Sequence, residues 1–239
     1  KNSLGGNMPQ PIFSFKNVTY ETKGQKILSI NKFEMHRGAV YVVDGSMGAG
    51  KTALIDILAR NVKVNSGDCE YEQKKLSSYS SRAFNDQVAI VPQNFKAPYG
   101  TVKKFLKKTL NRYSHISDIN KKIEDICRKM EIVNLLERKM RELSPGQLRW
   151  IVLAANIAAD TKVLLIDEIE QHLSRNSLNQ LVKILYRKSN YDGVTIVATT
   201  QNKDSFSQGL ASVTVTLESG RITSVRSANK KKKNYTRKK

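Results

Sequence analysis

Short apolar runs alternate with longer amphipathic stretches along this chain, and their order predicts an α/β fold. Apolar positions over residues 12–20 and again over 27–35 predict two or three strands that begin with a hairpin. Later runs are short, continuous and rich in valine, as is typical of strands that a parallel sheet buries on both faces. These runs cover residues 39–44, 88–91, 163–167 and 194–199. A final hairpin is predicted over 213–217 and 222–225.

Between these strands, much of the chain has apolar residues at helical spacing. A helix is predicted over 52–60, and two or three more over 102–141, where there is no glycine or proline. Ser144 begins a longer helical run to Ala159. The block 97–142 separates core strands, so we predict it to be an inserted helical lobe.

The predicted fold class is therefore an α/β core. It has a mainly parallel sheet, an N-terminal antiparallel β subdomain and an inserted helical subdomain at about 97–160. We expect a single domain over 12–225, a flexible N-terminus over 1–11 and a flexible basic tail over 226–239. Residues 1–7 precede the first methionine and are interpreted as a processing remnant.

Composition narrows the class of protein. A chain of 239 residues, 39% of them hydrophobic, can bury a sizeable core and is not a disordered chain. Its longest apolar stretch, over 150–159, falls short of the roughly 20 residues that span a bilayer. We expect Cys69 and Cys127 to be reduced in a cytosolic compartment. The three histidines lack ligand spacing, which argues against a transition-metal site.

The net charge of +20 is unevenly distributed. Residues 226–239 hold 8 basic and no acidic residues, and residues 96–142 hold 13 basic and 6 acidic residues. Such surface attracts nucleic acid or anionic lipid, but charge alone does not identify which. A solvated tail is the simpler interpretation of 226–239.

The strongest chemical signal lies between the strand predicted at 39–44 and the helix that follows it. This segment fits the phosphate-binding pattern G-x-x-x-x-G-K-[ST], and its residues are Gly45, Ser46, Met47, Gly48, Ala49, Gly50, Lys51 and Thr52. Glycines allow successive N–H groups to point into one anion-sized cradle at the positive end of a helix. Lys51 is predicted to reach the β- and γ-phosphates of ATP, and the Thr52 hydroxyl to bind Mg²⁺. The pattern identifies a P-loop NTPase.

Two adjacent carboxylates end the strand at 163–167. We predict that Asp167 binds Mg²⁺ and that Glu168 activates the attacking water. Carboxylates in this position beside a phosphate site indicate hydrolysis as well as binding.

Ser144, Pro145, Gly146 and Gln147 form a helix start, with serine at the N-cap and glutamine completing a capping box. About twenty residues before the strand of Asp167, the segment Leu143–Gln147 also resembles the LSGGQ signature of ATP-binding cassette (ABC) ATPases. The resemblance covers most of residues 12–225, with the motifs in the family's order. It implies that Ser144, Gly146 and Gln147 bind the γ-phosphate held by another subunit.

The resemblance also assigns roles to other residues. Tyr20 matches the aromatic residue that stacks on adenine, although a tyrosine of the strand core is the alternative. Gln93 matches the glutamine that senses Mg²⁺ and water and leads into the helical lobe, although Pro92 and Gln93 also suit a turn that ends a strand. The implied working unit is a head-to-tail dimer with two ATP molecules between the subunits.

Four positions depart from the family pattern. Pro145 replaces the first glycine of the signature, and Ile169-Glu170 replaces a proline-threonine pair. Ser174 occupies the position of the aspartate that communicates across the dimer. Gln201 occupies the position of the switch histidine, where it can hydrogen-bond a γ-phosphate but carries no imidazolium charge. These changes predict that ATP binding is retained and hydrolysis is slow.

By resemblance, the chain is the ATPase subunit of an ABC transporter, peripheral at the cytoplasmic face of a membrane. It would act with an integral membrane permease, as a homodimer or a heterodimer, and the basic tail would contact anionic lipid. The alternative is a soluble ABC-type ATPase that acts as a switch or scaffold on a protein or nucleic-acid complex. Its support is the charge of the chain and the altered switch position.

Overall fold

The computed structural model describes residues 10–202 and 209–228. The strands are β1 Pro11–Thr22, β2 Gln25–His36, β3 Val40–Asp44, β4 Ser66–Tyr71, β5 Lys74–Lys75, β6 Val88–Val91, β7 Val163–Ile166, β8 Thr195–Thr200, β9 Val213–Glu218 and β10 Arg221–Ser227. The α-helices are α1 Lys51–Leu58, α2 Ser81–Asn85, α3 Val102–Leu110, α4 Ile119–Lys129, α5 Pro145–Ala158 and α6 Arg175–Asp192.

These strands form two sheets. The antiparallel sheet has the order β2-β1-β4-β5, and the larger sheet has the order β10-β9-β3-β8-β7-β6. Strands β9, β3, β8, β7 and β6 run parallel, and β10 adds an antiparallel edge. This confirms the predicted fold class of a mainly parallel sheet with an N-terminal antiparallel subdomain.

The parallel sheet separates two hydrophobic cores, and alternate residues of its strands enter each of them. In β3, Val40 and Val42 join the core that contains α5 and the helical lobe, while Tyr41 and Val43 join the core beneath the antiparallel sheet. Leu164 of β7 faces the first core and Leu165 the second. Burial on both faces explains why these strands read as continuous apolar runs.

The helical lobe comprises α3, α4 and two short 3₁₀ turns, and α5 connects it to the parallel sheet. Thr101 and Asp118 cap α3 and α4 by accepting bonds from backbone N–H groups of the first turn. Both helices bury one face against α5 and expose lysine-rich faces. None of the helices in residues 10–202 and 209–228 is long and apolar enough to cross a bilayer.

Several features differ from the predicted element order. Strand β1 begins at Pro11 and β10 continues to Ser227, so ordered structure starts one residue before, and ends two residues after, the expected 12–225. The hairpin β4–β5 and helices α2 and α6 lie in segments to which the pattern assigned no element. The N-terminal residues 1–9 and most of the basic tail, 229–239, lie outside the described residues. Cys69 and Cys127 are buried, free thiols.

Candidate functional site

The candidate site is built on the turn between β3 and α1. Gly50 is the residue before α1 and has a φ of 101°, a left-handed conformation that glycine adopts without strain. A Cβ on Gly45 would lie 2.3 Å from the carbonyl oxygen of Leu217 in β9. Glycine is therefore required at both ends of the loop, at one for conformation and at the other for close packing.

Lys51 folds back over this loop and is 5% exposed. Its Nζ donates to the carbonyl oxygens of Gly45 at 2.5 Å and Ser46 at 2.9 Å. Within the described residues, the amides of Ser46, Met47, Gly48 and Gly50 have no protein acceptor. Ala49 donates its amide to Ser46. The loop thus presents several N–H groups and one ammonium group, the donor set that a polyphosphate requires.

Thr52 and Asp167 are 115 residues apart but meet beside this loop. The Thr52 Oγ1 donates to Asp167 Oδ2 at 2.8 Å, and Thr199 Oγ1 of β8 donates to Asp167 Oδ1 at 2.6 Å. Asp167 is 2% exposed, and the two hydroxyl groups satisfy its buried carboxylate. Hard oxygen ligands of this type suit Mg²⁺, so the residues present fit the predicted ion.

Glu168 lies two residues after the end of β7, in a left-handed conformation with a φ of 49°. Its backbone N–H donates to Thr199 Oγ1 at 2.8 Å, which holds the turn against β8. Gln201 Nε2 donates to Glu168 Oε1. The structure therefore places the two predicted catalytic residues Glu168 and Gln201 in direct contact.

Glu170, one of the four departures, organises the end of β8. Its Oε1 accepts bonds from Thr200 Oγ1 at 2.9 Å and from the backbone N–H of Gln201 at 2.8 Å. Its other carboxylate oxygen is buried and has no partner in the described part of the chain. Glu170 thus ties the segment after Asp167 to Gln201.

Arg149 is a functional residue that the sequence patterns missed. It is 5% exposed, and its guanidinium donates to the carbonyl oxygens of Pro92 at 2.5 Å, Asp167 at 2.6 Å and Glu168 at 3.0 Å. Burial lowers the pKa of Arg149 to about 10, so the group stays charged at neutral pH. The signal that points to such a clamp is a cation in helix α5, whose other buried residues are all apolar.

Gln93 lies two residues after β6, beside the ends of β6 and β7. The Asp167 N–H donates to the Val91 carbonyl at 2.9 Å, which places the start of the Gln93 segment next to Asp167. Gln93 lines a cavity of about 280 Å³ together with Arg141, Pro145 and His172. The cavity joins the end of β6 to the start of α5.

Ser144, Gly146 and Gln147 stand at the N-terminus of α5. Ser144 Oγ accepts from Gln147 N–H at 3.2 Å and Gln147 Oε1 accepts from Ser144 N–H at 3.1 Å, the predicted capping box. A Cβ on Gly146 would lie 2.8 Å from the His172 carbonyl. Among the described residues, no hydrogen bond joins this helix start to the 45–52 loop. Ser144 and Pro145 are exposed and Gly146 and Gln147 are half-buried, so Ser144 is accessible to another subunit.

Tyr20 is half-buried in β1 and pairs with Leu28 of β2. Leu28 also approaches the loop, because a Cβ on Gly50 would lie 3.4 Å from Leu28 Cγ. The β-hairpin therefore carries Tyr20 to the side of the phosphate-binding loop. Tyr20 also packs against the core beneath the antiparallel sheet, as the alternative interpretation expects.

Three comparisons agree with this arrangement. The family model described as ABC transporter matches residues 28–171. An ABC transporter ATP-binding protein of Clostridium tetani is 27% identical over 193 residues, which cover 79% of this chain and 43% of that protein. The chain therefore spans less than half the length of this relative.

Two solved structures share the fold. One is cbiO1 from Clostridium perfringens, part of the ABC transporter complex cbiONQ, with a TM-score of 0.79 at 21% identity, covering 91% of this chain and 89% of that chain. The other is a dimeric ATP-binding cassette in a post-hydrolysis state bound to ADP and Pi. Its TM-score is 0.79 at 18% identity, covering 90% of this chain and 98% of that chain. At these identities, the likeness shows a common fold.

Proposed function

This chain belongs to the ABC transporter family, and we propose that it is an ATP-binding and ATP-hydrolysing subunit of an ABC transporter. The observation that carries the proposal is the meeting of Lys51, Thr52 and Asp167 at one loop, with Glu168 next in the chain. Loop amides and Lys51 bind the phosphates, and Tyr20 stacks on adenine.

Thr52, Asp167 and Gln93 are the residues that would hold Mg²⁺, which would supply positive charge beside the phosphates of ATP. Glu168 accepts the proton of the attacking water, and Gln201 orients the Glu168 carboxylate. Lys51 must exchange its two carbonyl acceptors for phosphate oxygens, while the amides of the loop are already without protein partners.

Calorimetric titration with MgATP tests this proposal. Replacing Lys51 by alanine removes a charge-assisted donor from the phosphates and is expected to weaken MgATP binding roughly 10- to 100-fold. Lys63→Ala, at an exposed position, is the matched control and should bind normally. If the unmodified chain gives no heat with MgATP even when a partner chain is supplied, the proposal is wrong.

Slow turnover is the second part of the proposal. Gln201 is neutral and already donates to Glu168, so it supplies no positive charge to the transition state. We expect Gln201→His to raise the rate of phosphate release about 10-fold or more, because it restores a charge-assisted contact. MgATP affinity should stay the same, and Gln201→Ala should remain slow. Phosphate release from the unmodified chain at ordinary transporter rates would contradict this prediction.

The dimer is proposed to place the Ser144 segment of one subunit on the ATP of the other. This is supported by the exposure of Ser144 and by its separation from the loop of its own chain. The capping box uses the N–H groups of Ser144 and Gln147, and Pro145 has none. Gly146 N–H, at the positive end of the helix dipole, is therefore the backbone donor proposed for the γ-phosphate.

A membrane permease is the proposed partner, which places the chain at the cytoplasmic face of a membrane. A cavity of about 510 Å³ lies between the end of β6 and α3, and Phe95, Pro98 and Phe105 line it. The Phe95 and Phe105 rings pack at 5.6 Å between centroids. Pro92 also lines this groove and is next to Gln93 in the chain, so a partner bound in the groove would lie close to a proposed Mg²⁺ ligand.

Co-purification tests the partner. We expect the chain to be recovered with a polytopic membrane protein, and Phe105→Asp to release it by placing a charge in the groove. Lys104→Asp, at the neighbouring exposed position, is the control. Retention of the membrane protein by Phe105→Asp would show that this groove is not the docking site.

A further inference from the structure

A second charged surface lies at the amino ends of the parallel strands, whereas the phosphate-binding loop lies at their carboxyl ends. There, at the starts of β7 and β8, two cavities of about 490 and 560 Å³ share Lys129, Lys188 and Asp192 and so form one continuous depression. We name this surface the basic track and define it by six lining residues: Lys122, Lys129, Lys162, Lys183, Arg187 and Lys188.

Some of the cations of the basic track form ion pairs that stabilise the fold. Asp160 accepts hydrogen bonds from Lys122 and Lys188, and Lys188 also pairs with Asp192 at 3.1 Å. Burial raises the pKa of Asp160, but the bonds from Lys122 and Lys188 outweigh it and hold that pKa below its ordinary value. Asp160 therefore stays ionised and holds the Lys122 and Lys188 side chains in place.

Lys162 pairs with Glu72 at 3.2 Å, which leaves three cations of the basic track that the fold does not use. Lys129, Lys183 and Arg187 are exposed and form no ion pair with any residue in 10–202 or 209–228. Seven cations line the two cavities, Arg37 and the six of the basic track, together with two carboxylates. Glu72 pairs with Arg37 and Lys162, so three carboxylates offset seven cations, and the positive surplus favours a polyanion.

An exposed aromatic ring lies among these cations. Tyr191 is 78% exposed and lines the same cavity as Lys183 and Arg187. A flat ring between phosphate-binding side chains offers a stacking partner to an unpaired base. Tyrosine also suits the headgroup region of a membrane, but a single ring among three unpaired cations gives every group a partner in single-stranded nucleic acid, the cations on phosphates and the ring on a base.

We propose that the basic track binds single-stranded nucleic acid, with Lys129, Lys183 and Arg187 on phosphates and Tyr191 stacked on a base. The proposal does not depend on ATP binding, because the basic track and the phosphate-binding loop lie at opposite ends of the parallel strands.

Fluorescence anisotropy with a labelled, mixed-sequence single-stranded RNA tests the electrostatic part. The triple variant Lys129→Ala, Lys183→Ala, Arg187→Ala should bind at least about 10-fold more weakly, and its slope of log K against log salt should fall by about 2. The control variant Lys32→Ala, Lys63→Ala, Lys104→Ala loses the same charge at exposed positions without ion pairs in the described residues. Both variants retain the basic residues of 229–239, so a difference in RNA binding between them arises from the basic track.

RNA binding by two variants of Tyr191 tests whether the ring stacks on a base. Tyr191→Ala should weaken RNA binding about 10-fold, while Tyr191→Phe keeps the ring and should bind normally. Equal RNA affinity for the triple variant and its control, at matched melting temperatures, would overturn the proposal. So would unchanged RNA binding combined with lost binding to phosphatidylserine vesicles, which would assign the track to a membrane surface.

Discussion

Replacing Glu168 by glutamine is expected to lower the rate of ATP hydrolysis about 10³-fold and to leave MgATP affinity unchanged. Glutamine has nearly the same shape, and the backbone N–H at this position still donates to Thr199 Oγ1. Its amide oxygen can still accept from Gln201 Nε2. What is lost is the carboxylate that takes the proton from water.

The same variant should accumulate the ATP-bound dimer, because binding proceeds and hydrolysis no longer separates the subunits. Size-exclusion chromatography with MgATP measures this, with Glu124→Gln as a control that removes one exposed carboxylate of the helical lobe. A Glu168→Gln protein that elutes only as a monomer with ATP would contradict the proposed dimer. A rate within a few-fold of the unmodified chain would show that Glu168 is not the base.

Features that depend on neighbours in the chain could be predicted from the sequence. Strands β3 and β7 are covered on both faces and therefore appear as unbroken apolar runs. The loop before α1 needs glycine for its own conformation, and the capping box of α5 involves residues three positions apart. Each of these is a local requirement, so each leaves a local pattern.

Features that depend on distant partners left a weak pattern or none. Strand β4 is largely polar and is held by its pairing with β1, which lies about fifty residues earlier. The contact of Gln201 with Glu168 likewise depends on β7 and β8 being neighbours in the sheet. Helix α6 is an exception, since its core-facing residues do have helical spacing, a local pattern from which this helix could have been predicted; they are Leu178, Leu181, Val182 and Leu185.

Arg149 is the clearest case of such a distant requirement, and its replacement should have the largest effect on stability. Its guanidinium holds carbonyl oxygens at the ends of β6 and β7, next to Asp167 and Glu168. Arg149→Ala leaves these carbonyls without a donor and opens a cavity. We expect the free energy of unfolding to fall by about 3–5 kcal/mol.

Thermal and urea unfolding measure this effect, and for a domain of this size it corresponds to a decrease in melting temperature of roughly 10 °C. Arg128→Ala, at an exposed position of α4, should change the free energy of unfolding by no more than about 0.5 kcal/mol. Arg149→Lys should recover part of the loss, since one ammonium group replaces some of the bonds that the guanidinium makes to three carbonyls. A melting temperature for Arg149→Ala equal to that of Arg128→Ala would mean that water satisfies these carbonyls and that the clamp does not hold Asp167 and Glu168 in place.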